Sequence, residues 1–224
     1  PGGIKKTYST PKVLEELQDD NDNSIDRHAT LQARLLDMFM MDFDRHEDQW
    51  RWGSHDKMKG KGTSYYPIPR DRDQPFFINQ GIIPRIISRP SLQPRFQGFR
   101  AKAKNINTFN FNGRYFDRLF LSGLSRQDWE SAIDSFLPLM TDSVIESALT
   151  QQPAAIQSYS LPFIINTLKE RRKFLKDDVM DYYKFLAKAV DIYGSDKKEW
   201  FEVIRNQDGS VRVQMYKLNK EGEK

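Results

Sequence analysis

Cysteine is absent from the 224-residue sequence, and with it go disulfide frameworks, thiolate zinc sites, thiol nucleophiles and iron–sulfur clusters. The compartment does not follow from that absence, because cysteine-free chains occur in the cytosol and the envelope alike. Long apolar runs are missing too. No stretch approaches the length of a spanning helix, and the mean hydropathy is -0.72. Charge of one sign is also in short supply: 35 basic residues face 31 acidic ones, a formal +4. That balance is too mild for the sequence pI of about 9.1 to point to a nucleic-acid partner. What is present is 38% hydrophobic and 12% aromatic residues, enough to bury a core and to exclude wholesale disorder. The length suits one large domain or two small ones.

The chain opens Pro1-Gly2-Gly3 without a basic n-region or an apolar h-region, and no targeting signal is expected in this stretch. It closes on Asn219 to Lys224 directly after a strand-like segment. Both ends read as cut, and the expectation is a piece of a longer protein.

Between the ends the pattern is mainly helical. Thr10-Pro11 starts a short helix with Thr10 as N-cap and Val13, Leu14 and Leu17 as its apolar face. Asp26 caps a second helix in which Leu31, Leu35, Met38 and Phe39 recur at helical spacing. Trp50-Arg51-Trp52 alternates like a strand, with Ser64 to Ile68 as its hairpin partner across Gly60-Lys61-Gly62. Five of the eleven prolines fall between Pro69 and Pro94, marking irregular chain with short helical turns. From Arg114 helices return: Tyr115, Phe116, Leu119 and Phe120 make one face, Ser125 with Asp128 forms a capping box, and Thr141 caps a further helix. Ser160-Pro162 starts the longest helix, striped by Ile164, Leu168, Leu175, Val179, Tyr182, Leu186 and Val190 and closed at Gly194. Trp200–Ile204 and Val211–Leu218 form a hairpin about Asp208-Gly209. The expected fold class is mainly α (α+β) with small antiparallel hairpins. The expected division is a helical domain over 1–194, with its hairpin near 50–68, and a C-terminal hairpin over 195–224.

The chemistry-bearing residues concentrate in two short runs. Asp44-Arg45-His46-Glu47-Asp48-Gln49 follows a helix and precedes the first hairpin, and Asp71-Arg72-Asp73 follows that hairpin's second strand. Phosphoryl transfer uses one carboxylate to orient the attacking hydroxyl and another to hold the metal ions that bridge the phosphates. A hairpin between the two runs folds both loops onto one edge.

This order of helix, Asp loop, hairpin and second Asp resembles the C-lobe of the atypical kinases, among them lipid kinases with an Asp-Arg-His loop and spore-coat kinases of the CotH type. The resemblance implies a kinase C-lobe-like helical domain in which Asp44 matches the catalytic Asp. Gln49 falls where the metal-binding Asn stands, and Asp71 matches the metal-binding Asp with Asp73 close behind. Arg45 and His46 are supporting residues, His46 bracing the catalytic Asp as in lipid-kinase-like families. The implied cofactor is Mg²⁺ or Mn²⁺. Departures are clear: Gln49 lengthens the ligand by a methylene, Phe77 stands where Gly is usual, and 43 residues before Asp44 are too few for an N-lobe. The isolated chain is therefore expected to be inactive.

The run Asp42-Phe43-Asp44-Arg45-His46-Glu47-Asp48-Gln49-Trp50-Arg51-Trp52, with Tyr66-Pro67-Ile68-Pro69-Arg70-Asp71-Arg72-Asp73-Gln74, is also similar to a middle region of long bacterial envelope proteins. In those it lies between a calcineurin-like metallophosphoesterase domain and a C-terminal outer-membrane β-barrel. That resemblance implies a cell-envelope location, periplasmic or outer-membrane-associated, with the other domains of the parent chain as partners.

The alternatives for each feature are concrete. Asp44, Asp71 and Asp73 either hold a metal or phosphate, or form a polar network with Arg45, Arg70 and Arg72. His28 and His55 read as ordinary hydrogen-bonding residues. Asp20 to Ser24 fails the EF-hand template, with Ile25 in place of Gly and Leu31 in place of Glu, and reads as a solvated turn. Trp50, Trp52, Tyr65 and Tyr66 with Lys57, Lys59 and Lys61 would make a stacking platform for single strands, but alternation places half of those rings in the core, and no nucleic-acid partner is expected. Lys169 to Lys176 reads as the solvated face of the long helix. The rival to a kinase-like domain is a non-catalytic interaction module linking an enzyme domain to an outer-membrane barrel.

Overall fold

A computed structural model describes residues 6–56, 60–79, 81–89, 92–219 and 221–223. Its elements run β1 (Tyr8–Ser9), α1 (Thr10–Asp19), β2 (Ser24–Ile25), α2 (Arg27–Met40), β3 (Trp50–Asp56), β4 (Thr63–Pro69), α3 (Ile82–Ile87), α4 (Ile106–Phe109), α5 (Arg114–Leu121), α6 (Arg126–Phe136), α7 (Asp142–Leu149), α8 (Ala154–Leu186), β5 (Glu199–Arg205) and β6 (Val211–Lys217). The fold is α+β, mainly helical, with two small sheets. Contacts divide it into two compact units. One joins residues up to 26, 51–66 and 192 onward; the other joins 27–50 and 67–191. Lys57 and Lys59 of the expected stacking platform lie outside the described residues.

In the helical unit α2, α6 and α8 pack on one another, with α4, α5 and α7 also laid against α8. Leu31, Leu35 and Met38 of α2, Trp129 and Ile133 of α6, and Leu175, Val179 and Tyr182 of α8 are fully buried. These are the i, i+3, i+4, i+7 positions that put one face of each helix into a shared core. Trp129 sits edge-on to Tyr182 at 6.4 Å and Phe39 to Phe136 at 5.9 Å. The Ser125–Asp128 capping box is present, and Thr141 accepts from Val144 N–H at 3.2 Å. Pairing of the first orphan N–H groups fixes where α6 and α7 begin.

Four expected helix features are corrected. Ser9, not Thr10, caps α1, its Oγ accepting from Lys12 N–H at 3.4 Å; Thr10 is buried and its Oγ accepts from the Trp52 indole at 3.1 Å. On α5 the buried face is Phe116, Asp117, Phe120 and Leu121, and Tyr115 faces solvent. α8 begins at Ala154 after Pro153 and carries Pro162 inside it. Pro162 lacks the N–H that would bond the Ser158 carbonyl, but the core claims Leu161 and Ile164 on either side of it, and that packing holds the turn. The helix ends at Leu186, with Ala187 N–H on the Tyr183 carbonyl at 2.8 Å. Val190 is exposed, and Gly194 lies beyond the helix.

In the other unit a four-stranded sheet has the order β1-β3-β4-β2. β1 is antiparallel to β3, pairing Tyr8 with Trp52, while β2 runs parallel to β4, pairing Ser24 with Ser64. That parallel pair adds to the expected hairpins; two residues are too short a strand for periodicity to register. Gly62, at φ +91°, lets the chain pass so close to Asp22 that a Cβ would lie 2.1 Å from its carbonyl oxygen. β5 and β6 pair from Glu199↔Lys217 to Arg205↔Val211, and Gly209 supplies the positive φ of the turn. Asp20 to Asn23 is a turn tied by its own side chains: Asp20 Oδ1 accepts from Asp22 N–H, and Asn23 Oδ1 from Thr63 N–H, both at 2.9 Å. Trp52 and Tyr65 are core residues of this sheet, and Trp50 of the helical unit is equally buried.

Candidate functional site

The floor of the site is a buried ion network in the helical unit. Arg34 of α2 makes a forked pair with Asp117 of α5, Nε to Oδ1 at 2.7 Å and Nη2 to Oδ2 at 3.0 Å. It also donates to Asn110 Oδ1 at 3.0 Å and to Asp37 Oδ2 at 3.2 Å. The Tyr182 hydroxyl completes Asp117 by donating to Oδ2 at 2.7 Å. None of these side chains reaches solvent. Burial alone would lower the Arg34 pKa, but the charges of Asp117 and then Asp37 outweigh it and raise it. Burial, reinforced by Asp117, pushes the Tyr182 phenol well up. A second buried pair lies on α8, where Arg171 holds Asp178 at 3.1 Å and donates to the Met38 and Phe39 carbonyls at the end of α2. Those are orphan carbonyls of a helix terminus. Within the basic run expected to be solvated, Arg171 is therefore a buried residue, whereas Lys169, Lys173 and Lys176 make surface ion pairs.

Asp37 is the hub between this floor and the two acidic loops. Besides Arg34, its carboxylate accepts from Arg45 Nε at 3.1 Å and from Arg72 Nε at 2.8 Å. Arg45 then reaches across both loops. It donates through Nη1 to the carbonyls of Arg70 (2.7 Å) and Asp71 (3.2 Å), and through Nη2 to the Gln49 carbonyl (3.4 Å). Its guanidinium lies 4.9 Å from the Trp50 ring centroid, and Trp50 stacks on Phe116 at 4.4 Å. Arg70 N–H bonds the Gln49 carbonyl at 2.9 Å. Gly113 passes close by: a Cβ there would sit 2.8 Å from Arg34 Nη2 and 3.1 Å from the Arg45 carbonyl oxygen.

Sequence-expected residues distribute as follows. Asp44 is half-buried, and its Oδ1 accepts from Asn112 Nδ2 at 2.6 Å. Gln49 is buried, with Nε2 3.4 Å from His46 Nε2. His46 is half-exposed, 4.0 Å from the Asp48 carboxylate. Asp71 and Asp73 are exposed. The loops of Asp44, Gln49 and Asp71 are thus brought together on Arg45. The expected polar network exists but is centred elsewhere: Arg45 and Arg72 pair with Asp37, and none of Asp44, Asp71 and Asp73 forms an ion pair among the described residues.

Asp42 is buried and only half satisfied. Oδ1 accepts from Asp44 N–H at 3.2 Å, while Oδ2 has no hydrogen bond and lies 3.8 Å from Arg45 Nη1. Burial raises its pKa to about 6, with the Asp37 charge adding and that of Arg45 opposing. Backbone strain gathers at the same place. Among the described residues the non-glycine positive φ values are Met41 at 53°, Asp71 at 49° and Phe76 at 60°, all bordering the two loops. Such conformations persist where surrounding structure over-determines them, and they cluster at ligand sites.

No group of three or more Asp, Glu or His residues stands together as a metal site among the described residues. Of the residues expected to hold Mg²⁺, Asp44 and Asp71 carry carboxylate oxygens and Gln49 an amide oxygen, the donor types a hard cation takes. Sequence reasoning did not reach Arg34, Asp37, Asn112 and Asp117. A signal for one of them exists: Arg34 occupies an i+3 position on the stripe Leu31–Leu35–Met38, just as Arg171 and Asp178 of the second buried pair interrupt the α8 stripe. No family model, curated protein or solved structure matches the chain.

Proposed function

We propose that the two acidic loops bind a phosphate compound together with Mg²⁺ or Mn²⁺, in a kinase-like helical unit that has no phosphotransfer activity as an isolated chain. The observation that carries this reading is the single guanidinium of Arg45 fastened to the carbonyls of residues 49, 70 and 71. It fixes an Asp44–Gln49 loop beside an Asp71 loop, as a divided phosphate site requires. In this reading Asp44 orients a hydroxyl, while Gln49 and Asp71 hold the metal, which screens phosphate charge. Asp73 stands next to them, and His46 braces the loop. The parent chain is a bacterial cell-envelope protein whose other domains are the partners.

The test is titration of ATP with Mg²⁺ or Mn²⁺ by calorimetry into wild type and Asp71→Ala. Metal-dependent binding that weakens about tenfold or more in the variant is expected, since a charged ligand is lost. Absence of binding to folded wild-type protein would sink it.

A second reading has its own support. Asp44 is already engaged by Asn112, and Asp37 already neutralises Arg45 and Arg72, as in a non-catalytic module that links an enzyme domain to an outer-membrane barrel and keeps its acidic loops for structure. Under that reading Asp44→Asn lowers the melting temperature but moves no ligand affinity.

A further inference from the structure

We infer that α3 is a docking surface for an anionic lipid bilayer, lying on the membrane rather than crossing it. The first observation is that this helix is inside out. Ile82, Ile83, Ile86 and Ile87 occupy one arc of the helical wheel, and that arc faces solvent: Ile82 is 79% and Ile83 70% exposed. Ile78 before the helix and Leu92 after it are exposed as well. The opposite side is the attached one. Ser88 is buried there. Asn79 Nδ2 donates to the Pro84 carbonyl at 3.3 Å and to the Phe96 carbonyl at 2.7 Å. Gln93 N–H holds the Ile87 carbonyl at 2.9 Å. The isoleucines are therefore presented by a pinned backbone. Six exposed aliphatic side chains within fifteen residues exceed what scattered surface apolar residues require.

The second observation identifies the occupant. Residues 74–116 contain no Asp or Glu and seven Arg or Lys, whereas the rest of the chain carries 28 basic residues against 31 acidic. The positive charge of this protein is thus concentrated in the segment that carries α3. Arg89 is exposed at the end of the helix and forms no ion pair among the described residues. An aliphatic face with Arg89 at its end, in a segment without a single acidic residue, matches the boundary between anionic headgroups and acyl chains. Residues 78–92 contain no aromatic residue and no Met, the types that a protein-binding core is enriched in and that single-stranded nucleic acid stacks on; the exposed Phe111 and Tyr115 lie further along the basic segment. α3, at six residues, is far too short to span, and no described helix is long and apolar enough to cross a membrane.

Vesicle flotation tests this, with phosphatidylcholine alone and with an equal mixture of phosphatidylcholine and phosphatidylglycerol. Binding to the mixed vesicles only, weakening as salt rises, is expected. The double variant Ile82→Ser/Ile83→Ser should lose about tenfold or more in partitioning through lost apolar burial, and Arg89→Ala about fivefold. Both are solvent-facing changes, so circular dichroism melts should match wild type. Ile82→Trp supplies an independent reading: its fluorescence should shift to the blue on adding mixed vesicles. Failure of the wild type to float, equal flotation with both lipids, or full binding by the isoleucine double variant would overturn the proposal. A dimer that the double variant abolishes, without vesicle binding, would assign the face to a second copy. Polyuridylate binding that survives in the double variant, again without vesicle binding, would assign the charge to nucleic acid.

Discussion

The packed helices of the helical unit and the β5–β6 hairpin of the sheet-bearing unit differ in what they enclose. The helical unit takes charge inside: Arg34, Asp37, Arg45, Asp117 and Arg171 are buried, and each is held by several hydrogen bonds among apolar neighbours. The sheet-bearing unit leaves apolar groups outside. On β5 and β6 the pairs Phe201↔Met215 and Val203↔Val213 share one face, and all four side chains are exposed. Size accounts for much of the difference. Long helices packed in several directions exclude water from a charge network, and low dielectric then makes each satisfied pair strong and each orphan costly. A two-stranded hairpin has no second layer to bury a face against. The lesson is that hydrophobic pattern marks what can be buried, while the number of packed layers decides what is.

The sharpest way to break this contrast is Asp37→Ala. It removes one ion-pair partner from three guanidinium groups, two of them fully buried, and should cost about 3–5 kcal/mol in urea unfolding. Asp37→Asn should cost less, because its amide keeps one of the two acceptor oxygens. In the sheet-bearing unit the largest effect belongs to backbone: Gly62→Ala meets both a left-handed φ and the Asp22 carbonyl, and should cost about 2–3 kcal/mol by the same measurement.

Asp42 gives a pH-dependent version of the comparison. Its folded pKa of about 6 stands above the ordinary 3.8, so the folded state binds this proton more tightly than the unfolded chain. The stabilisation is full below 3.8 and is lost as pH rises through about 6. Asp42→Asn keeps the oxygen that accepts from Asp44 N–H and carries no charge to desolvate. It should be more stable than wild type at neutral pH, by about 1–3 kcal/mol. The gap should close as pH falls toward 4, as thermal melts across that window would record; a constant gap would disprove the assignment. The smallest effect is on the hairpin. Val203→Thr, on an exposed strand position, should change stability by no more than about 0.5 kcal/mol.

Much of the architecture was legible in the residues. The α2 and α8 stripes, the Ser125 and Thr141 caps and both hairpins were found from spacing and turn chemistry, since these are local properties. Helix ends were less legible. Pro162 reads as a start and Gly194 as a stop, yet packing of Leu161 extends α8 toward Ala154, and nothing buries Val190 to carry it further. Of the candidate site, Asp44, Arg45, Gln49 and Asp71 could be named because they crowd two short runs. Their common anchor could not. Asp37 lies one turn back on α2, and Asn112 and Asp117 lie far along the chain; only the packing of α5 against α2 brings them in.

By itself the sequence determined the absence of thiol chemistry, the helical periodicity, the turn positions and the pair of acidic runs, because each follows from residue type and spacing over a few positions. The tertiary structure decided which charges lie inside, that one arginine joins the two loops, and that the isoleucines of α3 face outward although their spacing would suit a core. Those outcomes depend on which surfaces meet, and burial energies act on contacts that neighbours along the chain do not specify.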